Sequence, residues 1–235
     1  MIHLSLLTNN KSMAINKGFL NLSILRKFAM ALSGLFLVIF LLQHLTINMT
    51  SVFSSDAFNS LSHFMGTNPL VQFALQPVLA FGVFFHLIMG MVLEMKNRNA
   101  RPVKYAYSKP EESSTWMSRN MIITGIMVML FLGLHFYDFW LPELKLKFID
   151  GIWNMEDRYF EELQHKFHDP IRVALYVLSF VFLSLHLMHG FQSAFQSVGF
   201  RDKSYTPFIK KLSNIYAIVV PFGFVFIAIY HFLAQ

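Results

Sequence analysis

Five apolar stretches, separated by polar connections, dominate the pattern of this chain. Each approaches or exceeds the roughly 20 helical residues that cross a bilayer, and they run Ala29–Ile47, Leu70–Leu93, Met121–Tyr137, Val173–Phe195 and Ile215–Ala234. The pattern predicts an all-α membrane protein with transmembrane helices at about 29–49, 70–95, 118–140, 171–197 and 212–234. Residues 1–28 precede this five-helix membrane domain, 29–235. They lack the succession of basic, apolar and small residues that marks a cleavable signal peptide. Met13 is as good a candidate for the first translated residue as Met1.

The composition narrows the class of protein. Of the 235 residues, 55% are hydrophobic and 14% are charged, which is too apolar for an ordinary soluble domain. The chain has no cysteine, so it forms no disulfide and holds no iron–sulfur cluster through thiolates. The net charge of +6 does not indicate nucleic acid, because the basic residues cluster beside the apolar spans.

The charge distribution predicts the orientation of the chain. Residues 1–28, 94–120 and 199–211 carry 14 basic and 4 acidic residues, whereas the other side of the membrane receives 5 basic and 9 acidic ones. Basic residues concentrate on the cytoplasmic side. We therefore expect a cytoplasmic N-terminus, an external C-terminus and an antiparallel five-helix bundle in the lipid bilayer.

Four histidines lie inside four successive spans, where an ionisable side chain is costly and is a functional candidate. Counting along the helices places His44 and His135 at similar depths toward the outside, and His86 and His186 toward the cytoplasm. An antiparallel bundle can bring each pair to opposite faces of a planar macrocycle. Haem iron accepts two axial imidazoles, an arrangement that favours electron transfer, whereas zinc or copper takes three or four ligands at one level.

Nearby glycines also favour haem. Gly90 follows His86 and Gly190 follows His186 by four residues, on the same helical face, which leaves room for a large flat group. The sequence thus predicts two bis-His haems b. Two explanations without haem stay open: helix–helix hydrogen bonds made by the histidines, and a proton-relay transporter, which is disfavoured because the span interiors hold no Asp, Glu, Lys or Arg.

Several further residues are candidate cofactor contacts. His189 competes with His186 as a ligand, or hydrogen-bonds a haem propionate, and it lacks a glycine at either i−4 or i+4. Arg26 and Ser33 share the helical face of His44 and are candidate propionate donors. Arg119, with Trp116, opens the third span and is another candidate. The competing interpretation of these residues is interfacial anchoring.

The outer side offers candidates for a quinone pocket, namely His63, Tyr137 and Asp138. The favoured interpretation of His63 alone is a solvated or hydrogen-bonded loop histidine, and the alternative is a quinone-site donor. Residues 153–167 predict a short amphipathic helix on the membrane surface, with His165 and His168 in solvent. His231 is expected at the membrane interface.

The stretches LFLVIFLLQHLTIN, AFNSLSHFMG, FFHLIMG, GLHFYDF and HLMHGFQSAFQSVG, in this order over most of residues 30–199, resemble a known family. They are similar to the dihaem cytochrome b membrane anchor of succinate dehydrogenases and fumarate reductases (respiratory complex II, in the tricarboxylic acid cycle), in its single-subunit, five-helix form. KNRNARPVKY and FQSAFQSVG most resemble the version of Bacteroidota-like bacteria.

The resemblance implies a function and its residues. The four family haem ligands map onto His44, His86, His135 and His186, the last standing thirteen residues before Gly199. The anchor would sit in a bacterial inner membrane and bind a flavoprotein subunit and an iron–sulfur subunit on its cytoplasmic face. Its two haems b would carry electrons to or from a quinone, typically menaquinone, near the outer surface. The chain departs from some relatives in having no carboxylate within a predicted span and Ser at position 184, so the resemblance assigns no proton route.

Two alternative functions remain. One is a dihaem cytochrome b of another membrane dehydrogenase, of the hydrogenase or formate dehydrogenase type. The other is a haem-free membrane transporter or structural protein.

Overall fold

Helices make up nearly all of the described chain. The computed structural model describes residues 2–99, 120–153, 155–200 and 202–234, with side chains from Ser23 onward in the first helix, and no strand occurs among them. The helices are α1 (Ile2–Phe53), α2 (Ser55–Thr67), α3 (Val71–Asn99), α4 (Met121–Ile149), α5 (Arg158–Phe167), α6 (Pro170–Ser197) and α7 (Thr206–Leu233). α3 begins with a π-helical turn, Val71–Leu75, and α4 contains two, Phe136–Trp140 and Lys145–Ile149.

Five of these helices are long and apolar enough to cross a membrane, which confirms the predicted number. The segments are Ser23–Phe53, Val71–Asn99, Met121–Ile149, Pro170–Ser197 and Thr206–Leu233. Their surfaces are lipid-like: Ile39 is 72% exposed and Ile171 is 71% exposed, and such apolar exposure on a monomer indicates contact with lipid or protein. The helix predicted to end near 140 continues to Ile149, and this longer segment contains two carboxylates, Asp138 and Glu143.

α6 is the central helix of the bundle. It packs against α7, α4 and α1, while α3 packs on α1. Its buried residues recur every three or four positions, as on the core face of a helix; they are Val173, Tyr176, Phe180, Leu183, Leu187, Phe191 and Ala194. Phe180 stacks on Phe224 of α7 at 5.3 Å. α7 approaches α1 closely at Gly223, where a Cβ would lie 2.9 Å from Leu45 Cδ1 and would force that side chain to move.

The short helices α2 and α5 pack against each other at one end of the bundle. We predicted a loop where α2 forms. Its N-terminus is stabilised by Ser54, whose Oγ accepts a hydrogen bond from the Ala57 amide at 3.2 Å, and by Asp56 in the first turn. Asn59 then joins the two helices, because its Oδ1 accepts from the Phe160 amide at 2.8 Å and its Nδ2 donates to the Asp157 carbonyl at 3.2 Å.

α5 is amphipathic, as its sequence predicts, although it is shorter. Leu163 and Phe167 are buried, whereas Met155 precedes the helix and is 48% exposed. His165 and His168 are exposed, in agreement with the expected solvent position.

A buried ionic cluster ties the end of α4 to both short helices. The ammonium group of Lys147, 3% exposed, contacts the Gly66 carbonyl and lies 2.5 Å from Glu143 Oε1. Arg158 pairs with Glu143 and with Glu162. Burial raises the pKa of Tyr159 to about 12, and the Glu143 carboxylate acts in the same direction, so the phenol stays a neutral donor toward Glu143 at pH 7.

His231, predicted at the membrane interface, packs against α1 and α5. It is fully buried, and its Nε2 lies 2.8 Å from Ser51 Oγ of α1. Together with the Tyr216 hydroxyl, which donates to the Val38 carbonyl at 2.5 Å, this contact joins α7 to α1. The polar ring is tolerated inside the bundle because it has a hydrogen-bond partner.

Candidate functional site

The structure brings the four span histidines together in two facing pairs. The rings of His44 and His135 have centroids 5.7 Å apart and planes at 86°. The rings of His86 and His186 have centroids 6.5 Å apart and planes at 75°. These are the two pairs expected from helical depth. The first pair joins α1 to α4, and the second joins α3 to α6.

The separation within each pair fits two axial ligands of one metal ion. A metal–imidazole nitrogen bond is about 2 Å long. Adding roughly 1 Å from that nitrogen to the ring centre puts two ligands on opposite sides of a metal about 6 Å apart. The observed 5.7 and 6.5 Å lie on either side of this value, so both pairs could hold a bis-His haem.

Neither pair forms part of a larger ligand cluster. Within the described ranges, no group of three or more His, Cys, Asp or Glu side chains is arranged to hold a metal ion. A zinc or copper site normally takes three or four such ligands. Two imidazoles at each level therefore fit an iron ion whose other four ligands come from a porphyrin.

The 44–135 pair is enclosed by aromatic rings. Phe40 stacks on His44 at 5.4 Å, and Phe224 lies 5.7 Å from the same ring. Around His135 lie Phe131 at 5.7 Å and Phe139 at 5.3 Å. Such a cage gives the apolar setting that a macrocycle requires.

The 86–186 pair has hydroxyl groups and glycines beside it instead. Ser33 Oγ lies 3.1 Å from His86 Nδ1, and Thr124 Oγ1 lies 3.3 Å from His186 Nδ1. A Cβ at Gly34 would lie 3.3 Å from His86 Cε1, and one at Gly125 would lie 3.5 Å from His186 Cε1. The glycines next to these imidazoles are therefore on the opposing helices.

The glycines selected from the sequence have other neighbours. A Cβ at Gly90 would meet Met30 Cε at 3.4 Å, and one at Gly190 would meet Met121 Cε at 3.1 Å. The space predicted beside them is filled by these methionine ends. A spacing of four residues shows that each glycine lies on the same face of its helix as the histidine. It does not show which side chain of a neighbouring helix occupies the space beside the glycine.

The remaining predicted cofactor contacts are distributed differently. Ser33 is predicted as a propionate donor because it shares the helical face of His44, but its hydroxyl contacts the His86 ring. His189 is partly buried, and it is His186 that stands opposite His86. Arg26 is partly buried in α1, and it does not line the cleft of about 320 Å³ formed by Ile24, Lys27, Ser193, Gln196 and Ser197. Arg119 and Trp116 lie outside the described residues.

Asp138, one of the predicted quinone candidates, forms a buried polar cluster whose other members the sequence did not indicate. Its side chain is inaccessible, and its Oδ2 accepts a hydrogen bond from the Tyr176 hydroxyl at 3.0 Å. Arg172 Nε lies 3.4 Å from Oδ2, and Lys166 Nζ lies 3.9 Å from Oδ1. The cluster is next to the 44–135 pair, because the Tyr176 ring lies 6.4 Å from the His135 ring. The position of Asp138 three residues after His135 was the available signal.

The other two quinone candidates lie at the same end of the molecule. His63 is on α2, and its Nε2 lies 3.4 Å from Glu156 Oε1. Tyr137 is 64% exposed on α4.

Thr124 and Gly125 were also missed, and a repeated spacing could have found them. Ser33–Gly34 stands eleven residues before His44, and Thr124–Gly125 stands eleven residues before His135. Each hydroxyl residue also follows a methionine by three positions. The repeat matches the structure, in which Ser33 of α1 contacts His86 of α3 and Thr124 of α4 contacts His186 of α6.

Comparison with known proteins gives one partial likeness. A stretch of 101 residues is 29% identical to the succinate dehydrogenase cytochrome b558 subunit of Bacillus subtilis (strain 168), covering 43% of this chain and 46% of that subunit. The chain thus spans about half the length of the curated relative that it matches. No family model matches the chain, and no solved structure matches it. The partial likeness supports the resemblance to the succinate dehydrogenase membrane-anchor family.

Proposed function

We propose that this chain is the membrane-anchor cytochrome b of a succinate:quinone oxidoreductase, with two bis-His haems b. The observation that carries the proposal is the pair of facing imidazole couples, His44 with His135 and His86 with His186, on four apolar helices. Dicarboxylate chemistry belongs to partner subunits, a flavoprotein and an iron–sulfur protein. The likeness to a succinate dehydrogenase cytochrome subunit supports this choice among membrane cytochromes.

The two haem sites stand at different depths in the bilayer. Ser33, which contacts the His86 ring, is eleven residues before His44 on α1, so the sites are about 16 Å apart along the helix. That is about half of the roughly 30 Å hydrocarbon core. Haem supplies one-electron transfer when bound; the histidines hold it at fixed positions, and the aromatic cage of the 44–135 pair keeps water away.

The charge bias supports the orientation of the complex. The basic N-terminal segment and basic connections face the bacterial cytoplasm, where the flavoprotein and iron–sulfur subunits bind. The 86–186 site is then nearer these partners, and the 44–135 site is nearer the outside. Successive spans run antiparallel, and the α2–α5 end lies at the outer surface.

Quinone chemistry belongs near the 44–135 site. Reduction of a quinone, which we take to be menaquinone, to quinol consumes two electrons and two protons. Asp138 is buried beside this site and is linked to the surface through Lys166 and Arg172, whose side chains are 27% and 26% exposed. Its carboxylate is the candidate group that holds and transfers a proton.

The test is purification of the tagged chain from its native membrane, followed by spectroscopy and an activity assay. We expect b-type bands in the reduced-minus-oxidised spectrum, two haems per chain, a flavin-containing partner and succinate-dependent quinone reduction. Absence of b-type bands would eliminate every cytochrome function, including the anchor. Two haems with a hydrogenase or formate dehydrogenase partner would replace the succinate assignment.

A further inference from the structure

Two hydroxyl groups contact the 86–186 pair in the same way. Ser33 Oγ lies 3.1 Å from His86 Nδ1, and Thr124 Oγ1 lies 3.3 Å from His186 Nδ1. Each hydroxyl comes from the helix that faces the histidine, α1 in one case and α4 in the other. Two similar contacts on two helices indicate a requirement of the site.

The hydrogen-bond direction follows from the second partner of each hydroxyl. Ser33 Oγ donates its only proton to the Met30 carbonyl at 2.8 Å, and Thr124 Oγ1 donates to the Met121 carbonyl at 3.0 Å. A hydroxyl has one donor and two acceptor lone pairs, so toward the imidazole each oxygen can only accept. His86 and His186 therefore carry their proton on Nδ1, and Nε2 keeps a free lone pair.

This is the tautomer that an axial ligand needs. A metal-ligating histidine binds through one nitrogen while the other donates a hydrogen bond, which fixes the ring orientation and makes the ligand more basic. A more basic ligand stabilises ferric over ferrous iron and lowers the reduction potential.

Two other histidines of the bundle, His135 and His231, do not share the arrangement. Among the described residues, Nδ1 of His135 has no hydrogen-bond partner. At His231 a serine contacts the other ring nitrogen. Ser51 Oγ donates its proton to the Asn48 carbonyl at 2.7 Å and lies 2.8 Å from His231 Nε2. That contact places the proton on Nε2, the nitrogen that His86 and His186 leave free.

We propose that Ser33 and Thr124 are positioning residues that hold His86 and His186 as Nε2 ligands and lower the reduction potential of the haem between them. The proposal rests on the proposed haem function and concerns the 86–186 site alone. It assigns Ser33 to the imidazole, in place of a haem propionate.

The test uses redox titration of both haems in the purified complex, with the 86–186 haem identified as the one missing from His86→Ala. Ser33→Ala and Thr124→Val remove each hydroxyl with little change of shape. Both should shift the midpoint potential of this haem to more positive values and leave the other haem unchanged. Ser33→Thr and Thr124→Ser, which keep the hydroxyl, should restore the wild-type potential.

Ser179→Ala is the matched control. This hydroxyl donates to the carbonyl of Leu175 at 2.7 Å on the same helix as His186. Its removal therefore tests the effect of losing a helical hydroxyl that contacts no histidine. We expect both midpoint potentials to stay unchanged. Selective loss of the 86–186 haem in the two hydroxyl-free variants, with retention in the hydroxyl-keeping ones, would also support the proposal.

Unchanged potentials in Ser33→Ala and Thr124→Val, or an equal shift of both haems, would overturn it while leaving the anchor function intact. Haem loss in the hydroxyl-keeping variants as well would also overturn it, because packing would then be the cause. A wild-type complex without two b-type haems would overturn the proposed function and this inference together.

Discussion

Asp138 carries a carboxylate into the protein interior, where an isolated charge would be strongly destabilising. Three groups make its burial possible: the Tyr176 hydroxyl at 3.0 Å, Arg172 at 3.4 Å and Lys166 at 3.9 Å. The two cations are about one quarter exposed, so they can stay hydrated while they neutralise the carboxylate. A charge held in this way can be structural, can take part in proton transfer, or both.

Two substitutions separate these roles of Asp138. Asp138→Ala leaves the Tyr176 hydroxyl without its acceptor, which should lower the free energy of unfolding by about 1–3 kcal/mol. Asp138→Asn keeps an acceptor and should unfold near the wild-type temperature, yet it cannot hold the proton and should slow quinone reduction. Thermal unfolding in detergent and steady-state quinone reduction measure the two effects. Full quinone reduction by a stable Asp138→Asn would mean that the carboxylate is structural only.

His186 and His189 can be separated by haem content. His186 stands opposite His86 with ring centroids 6.5 Å apart, so His186→Ala should lose one of two haems. His189→Ala should keep both haems, with an altered potential at the 86–186 site. Haem stoichiometry per chain measures this, and the reverse result would make His189 the ligand.

Among the structural elements, the long helices can be predicted from the sequence more reliably than the short ones. A run of about 20 apolar residues has few alternatives in a membrane protein, so five spans could be predicted. The helix α2 was missed although Ser54 and Asp56 mark its N-terminus, because the contacts that hold it come from residues remote in sequence, such as the Phe160 amide that binds Asn59. The third span was likewise predicted to end near 140, before Glu143 and Lys147, whose partners Arg158 and the Gly66 carbonyl are remote in sequence.

The same distinction applies to the candidate site. A histidine in an apolar run is conspicuous, and helical depth was sufficient to pair His44 with His135 and His86 with His186. Their role as haem ligands stays a prediction. Thr124 was missed, since a threonine in a membrane helix is ordinary until a facing helix places His186 Nδ1 3.3 Å away.

Lys147 should stabilise the end of the bundle formed by α2, α5 and the last turns of α4. Lys147→Met removes the donor to the Gly66 carbonyl and one partner of Glu143, so we expect a loss of about 1–3 kcal/mol. Hydrogen exchange should rise in α2 and α5 and stay unchanged in α6. Lys145→Met, at an exposed position on the same helix, is the control. Equal effects of the two substitutions would show that the buried ammonium group has no special role.

At the scale of the whole molecule, the described helices before α7 form two similar units. In each unit a long helix, a short helix at the α2–α5 end and a second long helix follow in the same order, α1–α2–α3 and α4–α5–α6. Each histidine pair combines one ring from each unit, so neither site exists without the packing of one unit on the other. α7 supports that packing through the Tyr216 contact with Val38 and the His231 contact with Ser51.

Because the two sites lie at different depths, losing one should interrupt electron transfer at a defined point. If electrons from succinate pass the 86–186 site first and the 44–135 site second, His44→Ala removes only the last step before quinone. We expect succinate-dependent quinone reduction to be blocked and reduction of soluble dyes by the flavoprotein and iron–sulfur subunits to be kept. His168→Ala, an exposed histidine at the same end of the molecule, should change neither activity. Loss of both activities in a fully assembled His44→Ala complex would contradict the anchor function, because dye reduction requires no haem in this chain.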